Sequence, residues 1–78
     1  MTTGEYIKNK RELLKISQII MSGRLGMNNP QQLCNIESNS CSIPDKYYSD
    51  ICRELLIKPN YLKKLLVNDY KKKLDRIF

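Results

Sequence analysis

The 78-residue sequence predicts an all-α fold, a compact set of five helices with the last one extended beyond the others. Three observations carry this prediction. Apolar residues recur at spacings of three and four, the period of a helix with one buried face. Each recurrence begins beside a side chain able to cap a helix N-terminus, at Thr2, Ser17, Asn29 and Ser42. Gly26 and the Ile57-Lys58-Pro59-Asn60 stretch then interrupt the pattern where helices should stop and start. A chain of this length supports one modest core and leaves no room for a second domain.

The first helix opens with Thr2 and Glu5, three apart, as a capping box. Tyr6, Ile7, Lys10, Leu13 and Leu14 carry the helical recurrence up to Lys15, with Leu13 and Leu14 expected on the apolar face. Lys8, Lys10, Arg11 and Lys15 make this helix basic, which suits either a solvated face or an approach to phosphate.

The stretch from Ser17 to Glu37 carries two short helices and a tight corner. Ser17 caps the second helix, whose Met21, Ser22 and Leu25 share one face. Gly26 follows the last apolar position and closes that helix, because glycine enters the left-handed conformation without steric cost. Asn29 is the expected cap of the third helix, with Pro30 pre-set at its first position and Gln32 placed to complete a capping box. Leu33 and Ile36 face inward, so Gln31, Asn35 and Ser38 point outward with Gln32 on the flank. This is helix-turn-helix geometry, and its outward side chains are amides, which pair in bidentate fashion with adenine in the major groove. The order Ser-Gln, Met-Ser, Leu-Gly, Asn-Pro-Gln and Leu-Cys-Asn-Ile-Glu resembles the lambda-repressor-like (Xre/Cro-type) DNA-binding domains, from about Gly4 to Leu66.

Ser42 is expected to cap the fourth helix, with Pro44 in its first turn and Asp45 completing the box. Tyr48, Ile51, Cys52 and Leu55 then share the core face, opposite Lys46, Asp50, Arg53 and Glu54. The fifth helix starts at the Pro59-Asn60 break, adds Leu62, Leu65 and Leu66 to the core, and runs on to the end of the sequence. The expected division is a helix-turn-helix domain over 1–66 and a C-terminal helical extension over 67–78, continuous with the fifth helix. In that extension Val67, Tyr70, Leu74 and Ile77 form a short heptad-like seam, which either folds back on the domain or pairs with a second subunit.

Composition narrows the function. Fourteen basic against eight acidic residues give a net charge of +6, so attraction to a polyanion or an acidic surface is expected. The seven basic residues from Lys58 to Arg76, against Asp69 and Asp75, leave +5 of that charge in the C-terminal stretch. Cys34, Cys41 and Cys52 are odd in number, widely spaced and accompanied by no histidine, which fits neither a zinc site nor a disulfide framework. Without histidine or a glycine-rich phosphate loop, neither catalysis nor a cofactor is expected. The charged start and the lack of a long apolar run lead to the expectation of a cytoplasmic, nucleoid-associated protein.

The resemblance implies a sequence-specific transcriptional regulator, a repressor, that binds double-stranded DNA as a homodimer. Asn29, Gln31, Gln32 and Asn35 would read bases from the third helix. In similar domains a glutamine matching Gln18 bonds a phosphate and braces the recognition helix. Asn39, Ser40 and Lys46 would flank the groove as phosphate contacts, with Lys8 and Lys10 approaching the outer strand. The resemblance also implies a partly buried ion pair between Arg11 and Glu37, fixing geometry more than adding stability. Two departures support a different class of function. Ile19 and Ile20 stand where similar domains carry polar residues, and Ser38-Asn39-Ser40 replaces a basic phosphate-gripping loop, so that no lysine or arginine occurs from Gly26 to Asp45. The alternative is an inhibitor, antitoxin-like or anti-repressor module on the same scaffold, binding a protein partner through Ile19 and Ile20.

Overall fold

Thr2, Ser17 and Asn29 each turn a side-chain oxygen onto an amide of the turn they precede. The bonds run from Glu5 N–H to Thr2 (3.2 Å), from Ile20 N–H to Ser17 (3.2 Å) and from Gln31 N–H to Asn29 (3.0 Å). These caps start three of the five helices in the computed structural model, which describes residues 2–77 and the side chains through Lys71. In order, α1 spans Thr3–Leu13, α2 Gln18–Arg24, α3 Pro30–Glu37, α4 Asp45–Leu55 and α5 Pro59–Ile77. There is no strand among the described residues.

The helix ends follow one rule. After α1, α2, α3 and α4 a single residue takes a left-handed conformation, at Lys15 (φ 59°), Gly26 (φ 75°), Asn39 (φ 65°) and Leu56 (φ 56°). Beyond it an amide bonds back to the last turn: Ile16 to Arg11, Met27 to Ser22, Ser40 to Asn35 and Ile57 to Cys52, at 2.9–3.1 Å. This is the Schellman arrangement, which satisfies carbonyls that the helix end leaves free. Gly26 makes it without strain, whereas Lys15 and Leu56 carry a Cβ into a conformation that disfavours one.

Three local expectations are corrected. The fourth helix does not begin with Ser42 as its cap: Pro44 occupies the N-cap position, with no side-chain bond. A residue before proline is held out of the helical region, so Ile43 cannot join the first turn and Ser42 lies too far upstream. In α1 the buried face is Thr3, Gly4, Ile7 and Arg11, while Leu13 is 73% exposed and Leu14 37%. Leu13, two residues past Arg11, points to the opposite side of the helix, and Leu14 is the C-cap, where the helix ends. The capping box expected at α3 is half formed, since Gln32 makes no side-chain hydrogen bond among the described residues.

The core gathers Ile7, Met21, Leu33, Ile51, Leu55 and Leu62, one or two from every helix and all fully buried. Tyr47 and Cys52 complete the inner face of α4, and Tyr48 is half-buried with its hydroxyl donating to the Pro59 carbonyl at 2.7 Å. Burial pushes the Cys52 thiol above its ordinary pKa. The central element is α1, which packs against α3, α4 and α5. Its approach to α3 needs Gly4, because a Cβ there would lie 2.5 Å from the Ile36 carbonyl oxygen and 2.6 Å from that of Glu37. On the other side Asp69 of α5 accepts a hydrogen bond from Thr3 N–H at 2.8 Å, placing an acid at the N-terminus of α1. α5 is a single helix over Pro59–Ile77, anchored to α1 at Asp69. Of the seam, Val67 and Tyr70 are exposed, and Leu74 and Ile77 lie outside the residues whose side chains are described.

Candidate nucleic-acid interface

The interface is built from the inside outward. Gly26 ends α2, and Met27, buried in the following turn, packs with Met21, Leu25, Leu33 and Ile36 in the shared core of α2 and α3. That apolar contact fixes how α3 lies across α2. A polar lock then fixes its C-terminal end. Glu37 is the last residue of α3, and its side chain is only 2% exposed. Its Oε2 accepts from Arg11 Nε at 2.7 Å, and its Oε1 accepts from Arg11 Nη2 at 3.1 Å and from Gln18 Nε2 at 3.0 Å. Arg11 also donates through Nη1 to the Ile16 carbonyl at 2.7 Å. One carboxylate thus ties α1, α2 and the connection between them to α3. The hydrogen bonds to Glu37 raise the Arg11 pKa further, against the opposing effect of its burial.

The opposite side of α3 faces solvent. Gln31 is exposed and Asn35 half-exposed, one helical turn apart, and Gln31 Nε2 donates to Asn35 Oδ1 at 2.9 Å. Gln32 is half-buried on the flank, as is Cys34. Asn29 is exposed, but its side-chain oxygen serves as the helix cap. The structure therefore brings Gln31 and Asn35 together as an outward pair and gives Asn29 a structural duty.

The flanking residues divide in the same way. Lys8, Lys46 and Ser40 are exposed, and Lys10 is half-buried. Lys46 Nζ lies 5.0 Å from the centroid of the Tyr47 ring. Ser38 and Ser40 share a hydroxyl contact of 3.0 Å, and Ser38 also donates to the Asn35 carbonyl at 3.3 Å. Asn39 turns back toward α1, where its oxygen accepts from Gly4 N–H at 3.2 Å and its nitrogen donates to Thr2 Oγ1 at 2.8 Å. Gln18 likewise spends a donor on Glu37, which places it as a brace of α3. Ile19 and Ile20 stand out on α2, 71% and 52% exposed. The contacts of Gly4, Asn39 and Asp69 around the start of α1 had no signal in the sequence, since each joins residues distant along the chain.

No family model matches this sequence, and no curated protein matches it. Among solved structures, it is similar to the crystal structure of the P22 c2 repressor protein in complex with synthetic operator 9T in the presence of Tl+. The TM-score is 0.73 at 22% identity, over 80% of this chain and 92% of that chain. The five helices share the all-α helix-turn-helix fold of that structure. Among the described residues no helix is long and apolar enough to cross a membrane.

Proposed function

We propose that this protein is a sequence-specific DNA-binding regulator of transcription, a cytoplasmic repressor that lays α3 in the major groove as a homodimer. The observation that carries this reading is the solvent-facing amide surface of α3, in which Gln31 and Asn35 are bonded to each other on a helix held from behind by Glu37. Amides offer the donor and acceptor pattern that base edges require, and a rigid scaffold lets them meet a base without further ordering. The similarity of fold to a repressor solved with operator DNA supports the same docking of α3. Lys8, Lys10, Lys46 and Ser40 are the proposed phosphate contacts, and Val67 and Tyr70, with Leu74 and Ile77, the proposed dimer seam.

The exposed Ile19 and Ile20 favour a second reading, in which the scaffold serves as an inhibitor or anti-repressor that docks a protein partner on α2. A mobility-shift titration against genomic fragments at two salt concentrations separates the two. DNA reading gives complexes that prefer some fragments, and Lys8→Ala or Lys46→Ala weakens all of them while lowering the salt slope by roughly one unit per contact. The protein-docking reading gives no fragment preference, and a partner interaction lost in Ile19→Glu and Ile20→Glu with the fold intact.

A further inference from the structure

We propose that Gln31 and Asn35 act as one reading head for the major-groove edge of a single adenine, and that N6-methylation of that adenine blocks binding. The inference rests on the DNA-reading function proposed above and names the base that function selects. The two residues are neighbours at i and i+4 on the solvent side of α3, and the 2.9 Å bond between their amides ties them together. The bond consumes one N–H of Gln31 and one lone pair of the Asn35 oxygen. Beside the second Gln31 N–H and the second Asn35 lone pair, this leaves the Gln31 oxygen wholly free on one residue and the Asn35 NH2 group wholly free on the other. Turning both amides over exchanges their roles and leaves the same pattern, an acceptor beside a donor.

Adenine complements this pattern, with N7 as acceptor and N6–H as donor on its major-groove edge. Guanine presents two acceptors, N7 and O6, and offers no donor to the free Gln31 oxygen. Cytosine presents a donor alone, and thymine an acceptor beside a methyl group. The surroundings add no competing signal, because no lysine or arginine occurs from Gly26 to Asp45 to seek a guanine. In a paired adenine one N6–H bonds to thymine and the other points into the major groove. A methyl group on N6 takes that second position, removing the donor and placing a carbon against the amide oxygen.

The test uses the full-length protein and the duplex it prefers in a selection from a random pool. Each adenine of that duplex is replaced in turn by N6-methyladenine or by 7-deaza-adenine, and affinity is measured by fluorescence anisotropy. At one adenine per half-site, either replacement weakens the wild-type protein by about tenfold, within the range of one bidentate base contact. Gln31→Ala and Asn35→Ala, checked for an unchanged melting temperature, bind the modified and unmodified duplexes alike, and both variants lose preference at that same base pair. The proposal is overturned if the two variants relax preference at different base pairs, or if selective binding persists with every adenine modified. A pool that enriches nothing removes the DNA-reading function itself, and the proposal with it.

Discussion

Deleting one partner of the Arg11–Glu37 pair should cost far more than replacing both. With Arg11 gone, the Glu37 carboxylate keeps only Gln18 Nε2, at 3.0 Å, while its side chain stays 2% exposed. The Ile16 carbonyl also loses its donor at 2.7 Å. Stranding a buried charge in this way costs about 3 to 5 kcal/mol, against a total stability of about 4 to 12 kcal/mol for a domain of this size. Glu37→Leu should cost somewhat less, about 2 to 4 kcal/mol, because the guanidinium keeps the Ile16 carbonyl and lies 4.0 Å from Glu12. In Arg11→Met/Glu37→Leu no charge is left stranded and the volume is refilled, so the double variant should be more stable than either single one. Urea unfolding followed by circular dichroism measures all four proteins, with m-values expected to agree. Added salt should barely change the differences, since a pair this buried is little screened. If the two single losses add within about 0.5 kcal/mol in the double variant, the lock is not a coupled unit and the account of how α3 is held is wrong.

Other consequences are read by simpler assays. Gly4→Ala should destabilise by about 2 kcal/mol or more, because its Cβ would meet two backbone carbonyl oxygens, whereas Gly23→Ala has open space and should stabilise by about 0.5 to 1 kcal/mol. Equal melting temperatures for the two variants would contradict the packing of α1 on α3. Asp69→Ala should lose about 1 kcal/mol, the bond it accepts at the start of α1, without changing the assembly state. In sedimentation at roughly tens of micromolar the full chain should be a dimer and a chain ending at Asn68 a monomer, so a monomeric full chain removes the proposed seam. Thiol labelling should proceed fastest at exposed Cys41, more slowly at Cys34, and at Cys52 only as the protein unfolds, because Cys52 is buried and burial raises its thiol pKa. Labelling of Cys52 at the rate of Cys41 would contradict that burial.

The parts of the fold that depend on short-range chemistry were legible in the sequence. Ser17, Gly26, Asn29 and Pro30 each act within four residues of where they stand, so capping and turn rules alone locate α2, the corner and α3. The same rules placed Ser42 wrongly, because a side chain suited to capping was weighed above the restriction that Pro44 puts on Ile43. Leu13 and Leu14 matched a helical period that the chain abandons at Lys15, whose left-handed conformation no glycine announces. The bond between Asp69 and Thr3 spans 66 positions and the contacts of Asn39 span more than 30, so neither could come from local pattern. Within the candidate interface, spacing placed Gln31 and Asn35 on the outward face. It could not reveal that they bond to each other, nor that Asn29, Gln18 and Asn39 commit polar atoms to holding the scaffold.

The central claim is that α3 reads DNA sequence. Selection of bound duplexes from a random pool, run in parallel with the wild-type protein and Asn35→Ala at low and at physiological salt, tests it most directly. The wild-type protein should enrich a palindrome containing A·T pairs, with half-sites about one helical turn apart, and the Asn35→Ala pool should lose preference at one base pair of each half-site. A wild-type pool that stays random even at low salt, where electrostatic attraction is strongest, would contradict the claim.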